Sequence, residues 1–317
     1  MSDLPKSILI TLGGNAILPA RGTGTFDEQM SITRLTMQPI AQLIREGAQV
    51  ILSHGNGPIV GNILIRNEAA RDQIPPMPLD VCGADSQGGI GYMMQQALDN
   101  ELKRVQVDRT VATVVTQVVV DERDPAFRRP TKPIGPFYSQ ERARLLAKEK
   151  GWTVVEDAGR GWRRVVASPR PLEVVEIAAI RKLVLDGTIV IGAGGGGIPV
   201  ARQWDGTLHG VEAVIDKDLA SSLLARLLGC EMLCIITGVD RVALHYGKPD
   251  QRDLDCATAE ELWRYAAEGQ FPPGNMGPKI QAAIEFVRSG GREVVITSPE
   301  KIREALQGKG GTRIRRE

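Results

Sequence analysis

Short apolar runs alternate with amphipathic stretches along this chain, and a glycine-rich turn follows four of the runs. The pairs of run and turn are 7–12 with 13–15, 50–52 with 54–58, 188–191 with 194–197, and 233–236 with 237–240. A short apolar run is typical of a buried parallel strand. Glycine just past the strand lets backbone N–H groups face a ligand, because no Cβ intervenes. Several such turns at one sheet edge suit an anion such as phosphate, so we expect the functional site at that edge.

Amphipathic stretches between the strands predict helices. The predicted helices cover 28–46, 59–71, 86–102, 173–186, 219–228 and 275–288. Regular alternation of strands and helices predicts βαβ units, and therefore an α/β fold with a mostly parallel sheet.

The segment from about 121 to 171 breaks this alternation. It is rich in proline and glycine and also contains strand-like pieces at 152–155 and 164–166. We interpret it as a small inserted subdomain that acts as a lid, because one of its lysines, Lys132, is fixed by prolines nearby. An ordinary surface insertion is the alternative.

Composition narrows the range of possible functions. The chain has 317 residues, a net charge of +1 and only 4% aromatic residues, which disfavours nucleic-acid binding. No apolar run is long enough to span a bilayer, and the first residues lack the order of a signal peptide, so we expect a cytoplasmic protein without a membrane partner. The spacing of the four cysteines does not indicate a zinc site, and they are expected to be free thiols.

Two short loops suit phosphate. They are Gly13-Gly14-Asn15 and Gly55-Asn56-Gly57. Glycine after a strand is common for packing reasons alone, so each loop is weak by itself. The chain has no GxxxxGK[ST] motif and no GxGxxG after its first strand, which disfavours P-loop and dinucleotide folds.

Three lysines are candidates for contact with a phosphoryl group. Lys132 lies in a Pro-Thr-Lys-Pro sequence, which restricts its backbone, although it could also be solvated surface. Lys217 precedes Asp218, which either caps the following helix or orients lysines through charge-assisted hydrogen bonds. Lys279 lies in a first helical turn, where the helix dipole disfavours a cation; it either meets an anion or is an exposed helix lysine.

Lysines and glycine loops together fit phosphoryl transfer, which requires charge neutralisation and alignment more than covalent chemistry. A hydrolase triad has no support, because the chain has three histidines and no GxSxG motif.

Nine motifs, in order along nearly the whole chain, resemble the carbamate kinases, a branch of the amino-acid kinase superfamily. They are LGGNA at 12–16, SHGNGP at 53–58, MPLD at 77–80, VTQV at 115–118, PTKPIG at 130–135, DAGRGW at 157–162, GGGGIPV at 194–200, EAVIDKD at 212–218 and NMGPK at 275–279.

The resemblance implies an open αβα sandwich with a protruding subdomain. It implies an N-terminal substrate lobe over 1–212, with the lid at about 121–171, a nucleotide-binding lobe over 213–317, and a homodimer. It also implies transfer of phosphate between carbamoyl phosphate and ADP, giving ATP and carbamate, which decomposes to ammonia and CO2. The magnesium that this reaction needs is expected to arrive with ATP or ADP, without direct protein ligands.

The resemblance also assigns residues. Lys132, Lys217 and Lys279 are expected to stabilise the moving phosphoryl group, with Asp218 organising the lysines. Substrate or phosphate contacts are expected from Gly13, Gly14, Asn15, Gly55, Asn56, Gly57, Gly195 and Gly196. Nucleotide contacts are expected from Thr237, Gly238, Val239, Asp240, Tyr246, Gly247, Lys248, Pro249 and Met276.

Two positions qualify the resemblance. Thr11 stands where many members of the superfamily have a phosphate-binding lysine. The carbamate kinases lack it as well, so this position disfavours acetylglutamate and glutamate kinases, and we expect Lys132 to replace the lysine. Asp85 stands where an apolar methionine is expected, so it is paired, exposed, or a sign of altered substrate or dimer contacts. The alternatives are a related kinase acting on an amino-acid carboxylate and a non-catalytic nucleotide- or oxyanion-binding protein.

Overall fold

The structure is a computed structural model that describes residues 5–17, 24–157, 159, 161–272 and 274–317. Ala158 and Arg160, which belong to the DAGRGW motif, lie outside the described residues, as does the side chain of Asn15.

The strands of the described residues are β1 Ser7–Leu12, β2 Gln49–His54, β3 Val111–Thr113, β4 Gln117–Val119, β5 Lys132–Tyr138, β6 Thr153–Glu156, β7 Trp162–Val166, β8 Glu173–Val174, β9 Ile189–Ile191, β10 Ile198–Arg202, β11 Leu208–Gly210, β12 Met232–Ile236, β13 Val242–Leu244, β14 Arg252–Leu254, β15 Cys256–Thr258, β16 Glu293–Thr297 and β17 Thr312–Arg315. The helices are α1 Phe26–Arg45, α2 Gly57–Ala69, α3 Leu79–Arg104, α4 Gln140–Lys150, α5 Ile177–Leu185, α6 Lys217–Leu228, α7 Ala259–Ala267, α8 Met276–Arg288 and α9 Ile302–Leu306.

Eight strands form the central sheet in the order β15-β17-β16-β12-β1-β2-β9-β3. Every pairing in it is parallel except that of β16 with β17. Successive side chains of β1 pack on opposite faces of the sheet. Leu9 lies in one buried cluster, whereas Ile8 and Ile10 lie in another. Helices cover both faces, so the predicted α/β fold with a mostly parallel sheet is confirmed.

Two predicted helices begin at the wrong residue. Helix α3 starts at Leu79, about two turns before the predicted start at 86, because the glycines near its beginning are accommodated within the helix. The helix predicted over 173–186 is shorter, because Glu173–Val174 instead forms a strand that pairs antiparallel with β4.

A separate three-stranded sheet, β5-β7-β6, lies with α4 inside the 121–171 segment. It rests on α2 through an approach so close that a Cβ on Gly61 would lie 2.3 Å from the Cα of Gly135. Glycine at position 61 is therefore required for this contact between the segment and the main body. The lobe boundary at 212 and 213 stays a prediction.

The long helices of the described residues are too polar for a bilayer, and none qualifies as a membrane span.

Candidate active site

Two of the predicted glycine loops connect the ends of neighbouring strands. The N–H of Gly13 donates to the carbonyl oxygen of Ile236 at 3.1 Å, and the N–H of Gly55 donates to that of Leu12 at 2.9 Å. A Cβ on Gly13 would lie 2.9 Å from the same Ile236 oxygen, which explains the glycine. These two N–H groups therefore hold the loops in place and are not free to bind a phosphate.

The N-terminus of α2 carries no side-chain cap within the described part of the chain. Its N-cap residue, Asn56, instead donates its amide to the Ser86 hydroxyl at 2.8 Å. The helix begins at Gly57, and Pro58 occupies its first turn. An uncapped helix N-terminus has unused N–H groups and a positive partial charge, so this end of α2 suits an anion.

A buried cluster of two ammonium groups and one carboxylate lies beside these loops. Lys217 Nζ is 2.6 Å from Asp218 Oδ1, and Lys279 Nζ is 3.1 Å from Asp218 Oδ2. Asp218 is 1% exposed and Lys279 is 8% exposed. The cluster therefore carries one positive charge in excess, and the predicted role of Asp218 in orienting lysines agrees with this geometry for two of the three.

Burial and charge shift the pKa values in the cluster. Burial alone would raise the pKa of Asp218, but Lys217 and Lys279 attract its charge and hold that pKa well below the usual range. Burial lowers the pKa of Lys217, and Lys279 lowers it further, against the attraction of Asp218. Asp218 is therefore ionised at neutral pH, and the Lys217 ammonium is more acidic than an exposed one.

The Lys217 side chain passes directly over Gly55. A Cβ on Gly55 would lie 3.0 Å from Cδ of Lys217 and 3.4 Å from its Cε. Lys217 Nζ also lies 3.5 Å from the hydroxyl of Thr11. Lys217 therefore lies next to the position where many members of the superfamily carry a lysine, and the expected replacement of that lysine by Lys132 stays a prediction.

Lys132 is held by a different carboxylate. Its Nζ lies 2.6 Å from Asp216 Oδ2, while Asp216 Oδ1 accepts hydrogen bonds from the N–H groups of Asp218 and Leu219. Asp216 is therefore the N-cap of α6, and the interpretation of Asp218 as that cap is wrong. The physical reason is position: Asp218 is already inside the helix, so its side chain points to the lysines.

The third glycine loop packs tightly on the second. A Cβ on Gly194 would lie 2.3 Å from His54 Nε2, and one on Gly195 would lie 2.3 Å from the Asn56 amide nitrogen. A Cβ on Gly196 would meet the carbonyl oxygen of Ile215 at 2.3 Å. The predicted residues Gly195 and Gly196 thus allow the loops to approach each other at the sheet edge.

His54 is buried between these loops and is kept neutral. Burial, opposed by a hydrogen bond to the Gly55 carbonyl and assisted by the charge of Lys217, lowers its pKa to about 4. Its Nδ1 lies 3.1 Å from the Gly55 oxygen, and no described residue bonds its buried Nε2. His54 therefore shapes the loop.

A cleft of about 410 Å³ opens above the Lys217–Lys279 cluster. Of the predicted residues, it is lined by Gly13, Gly14, Lys217, Thr237, Gly238, Val239, Tyr246, Met276 and Lys279. The lining does not include Asp240, Gly247, Lys248, Pro249 or Lys132. Asp240 instead accepts a hydrogen bond from the Ser298 hydroxyl. Lys132 lines a neighbouring cleft with Asp216 and the start of α8.

Comparison with known proteins assigns the family. The sequence signature of the amino acid kinase family matches residues 6–298. A carbamate kinase of Thermococcus kodakarensis is 53% identical over 315 residues, which cover 98% of this chain and 100% of the relative. That of Pyrococcus horikoshii is 50% identical over 313 residues, which cover 98% and 99%. The chain belongs to the carbamate kinase family.

A solved structure supports the same assignment. The carbamate kinase of Giardia lamblia bound to AMP-PNP superposes with a TM-score of 0.90 at 46% identity, over 99% of both chains. Membership of the carbamate kinase family makes this chain a phosphotransferase and confirms the predicted fold.

The sequence analysis did not identify several residues of this site. Asp216 was missed because the helix was predicted to begin at 219, whereas it begins at Lys217 and Asp216 is the residue immediately before it, in the N-cap position. Arg241, Gln270 and Phe271 line the cleft, but no local pattern marks them. Chain segments far apart in sequence bring them there.

The structure shows the environment of Asp85. It lies on the exposed side of α3, between the exposed residues Val81 and Gly88. Asp85 is exposed in the single chain, so it has no desolvation cost there, and altered substrate or dimer contacts at this position stay a prediction.

Proposed function

We propose that this chain transfers a phosphoryl group reversibly between carbamoyl phosphate and ADP, giving ATP and carbamate. The observation that carries the proposal is the buried cluster of Lys217, Asp218 and Lys279 at the base of a cleft. The names of its relatives, which share about half of its residues over their whole length, support the choice of substrates.

The reaction requires no proton transfer. An oxygen of the ADP β-phosphate attacks the phosphorus of carbamoyl phosphate, and the bond from phosphorus to the carbamoyl oxygen breaks. The electron pair of that bond leaves with carbamate. Negative charge spreads over the transferred oxygens meanwhile, so fixed positive groups lower the barrier.

The site provides such groups on two sides. Lys217 and Lys279 lie at the floor of the cleft with their ammonium groups held by Asp218. The uncapped N-terminus of α2, with Gly14 nearby, offers backbone N–H groups for carbamoyl phosphate. Lys132 approaches from the neighbouring cleft, where Asp216 fixes it. We propose that all three lysines contact the phosphoryl group as it moves.

We propose that Mg²⁺ enters this site on the nucleotide phosphates. The part of the chain that the structure describes has no group of three histidine, cysteine or carboxylate side chains able to hold a metal. Both oxygens of Asp218 already accept hydrogen bonds from lysines, so this carboxylate fits the role of holding lysines. Mg²⁺ bound to the phosphates would neutralise part of their charge.

The experiment is a substrate panel with purified protein, Mg²⁺ and ADP. We expect carbamoyl phosphate to give rapid ATP formation. In the reverse direction, with ATP, glutamate and N-acetylglutamate should give no ADP above background. Transfer to either amino acid at a comparable rate would overturn the choice of substrate, and binding of ATP without turnover of any substrate would overturn the enzyme itself.

We further propose a homodimer that forms through α3 and the sheet edge. Strand β3 ends the central sheet, and Gly91 of α3 packs on its residue Thr113. The outer side of α3 exposes Val81 and Tyr92, with Tyr92 56% exposed. Sedimentation velocity should show a dimer that Tyr92→Lys weakens, whereas a wild-type monomer would contradict the proposal.

The use of ADP and ATP also favours the cytoplasm as the location of this protein.

A further inference from the structure

A second cavity lies between α2 and the three-stranded sheet, and it shares no lining residue with the cleft above Lys217 and Lys279. Its volume is about 430 Å³. Its walls are mostly apolar and include Leu64 and Ile65 of α2, Ile134 of β5 and Leu146 of α4. A cavity of this size and lining is typical of a site for a small organic molecule.

Two guanidinium groups line this cavity. Arg142 and Arg164 both line it, and neither forms an ion pair with a described residue. Arg164 lies over the Trp152 ring at 4.9 Å, and burial lowers its pKa. Arg142 is exposed, so only Arg164 carries a desolvation cost, which Glu212 and Glu68 partly offset and which a bound anion would offset further.

The one carboxylate of the lining is already occupied. Glu68 pairs with Lys150 and with Arg71, the latter at 2.9 Å. Lys150 also lies 5.5 Å from the centre of the Trp152 ring. With Glu68 neutralised by these partners, the remaining charge of the cavity is positive, so its chemistry selects an anion that has an apolar body.

We propose that this cavity binds a small organic acid, with one carboxylate at Arg142 and Arg164 and an apolar or aromatic body against Leu64, Ile65 and Leu146. The site is separate from the phosphoryl-transfer cleft, and its binding does not depend on the proposed reaction. Its walls come from α2, which begins at the uncapped anion site, and from β5, which begins at Lys132. A bound acid therefore bridges the two elements that carry these groups.

The test uses phenylacetate as the probe and its neutral counterpart phenylacetamide, measured by isothermal titration calorimetry on the whole chain. Phenylacetate should bind once per chain and raise the melting temperature. Arg142→Gln and Arg164→Gln should each weaken its binding about tenfold, the usual scale for losing a hydrogen bond between charged groups. Arg144→Gln, on the same helix but outside the cavity lining, is the matched control and should bind normally.

Several results would overturn the proposal. They are the absence of saturable phenylacetate binding, equal binding of phenylacetamide, and binding that Arg142→Gln leaves unchanged. Arg142 is exposed on α4, so its replacement tests the charge without disturbing the packing of Arg164 on Trp152.

Discussion

Individual side chains in this site depend on each other for their charge and position. A lysine ammonium taken out of water is costly unless a carboxylate compensates it, and Asp218 compensates Lys217 and Lys279 together. The phosphate of the substrate then supplies the anion that the excess positive charge of this cluster favours. Burial thus keeps the two ammonium groups fixed before substrate arrives, which is the condition for electrostatic catalysis.

Gly55→Ala should reduce activity without unfolding the protein. The new Cβ would press on the Lys217 side chain at 3.0 Å and displace its ammonium group. We expect kcat/KM for ATP formation to fall at least tenfold, because small misplacements of catalytic groups have large effects. Gly83→Ala, inside α3 with open space around it, is the control and should be near normal. An unchanged rate for Gly55→Ala would contradict the role of Lys217.

The pH dependence of kcat/KM should report on Lys217. Its pKa is lowered, so its ammonium group loses its proton at a pH below the ordinary value of 10.5. Activity needs the charged form, and kcat/KM should therefore decline as pH rises, with a midpoint below 10.5. Lys217→Arg should move this decline to higher pH, since arginine stays charged. A decline that Lys217→Arg leaves in place would assign it to another group.

His54 should make the protein less stable in acid. Its pKa is about 4 in the folded chain and 6.5 when unperturbed, so the unfolded chain binds the proton more readily. The contribution is complete above pH 6.5 and is lost as pH falls towards 4, by about 3 kcal/mol in the free energy of unfolding. Urea denaturation across this range should show a flatter pH dependence for His54→Asn. Identical profiles for variant and wild type would contradict the neutral buried imidazole.

At the scale of residues, the sequence was enough to select the three lysines and Asp218 as candidates, because charged residues at strand and helix boundaries are visible in the local sequence. It could not assign partners: Lys132 pairs with Asp216, which lies 84 positions away, and Lys217 reaches Thr11, which lies 206 positions away. Such pairings depend on the topology of the sheet.

At the scale of elements, the N-terminus of α6 connects the 121–171 segment to the cluster of Lys217, Asp218 and Lys279. One oxygen of Asp216 caps the helix, and the other holds Lys132 of β5. The next residues of α6 are Lys217 and Asp218. A single turn of helix therefore fixes the positions of all three groups.

Asp216→Asn and Asp216→Ala should separate the two roles. Asparagine caps helices as well as aspartate does, so Asp216→Asn should keep most of the stability, while Asp216→Ala should lose about 1 kcal/mol more in urea denaturation. Both remove the charge that holds Lys132, so both should lower kcat/KM for carbamoyl phosphate. Equal stability of the two variants would contradict the cap, and normal kinetics in both would contradict the role of Asp216 in holding Lys132.

The elements themselves were predictable where hydrophobic period and turn signals agreed, as for β1, β2, α6 and α8. The prediction was wrong at the start of α3, because glycines that indicate a turn are tolerated in a helix that packs tightly. It was also wrong at 173–174, because only the pairing with β4 makes those residues a strand.

At the scale of the whole molecule, the parallel order of β12, β1 and β2 brings three glycine loops to one edge, and the lysine cluster lies beside them. We propose that this edge moves phosphate directly from carbamoyl phosphate to ADP. The motifs in the sequence and the identity with known carbamate kinases assign the same family. The proposed path of the phosphoryl group rests on the geometry of the site.

The most direct test follows the phosphorus of carbamoyl phosphate by ³¹P NMR, with Mg²⁺ and one equivalent of ADP, in wild type and in folded Lys217→Ala. In wild type we expect the signal to pass to the γ-phosphate of ATP. In Lys217→Ala it should pass only to inorganic phosphate, at the spontaneous rate. Inorganic phosphate alone in wild type, or ATP formed at the wild-type rate by Lys217→Ala, would contradict the account.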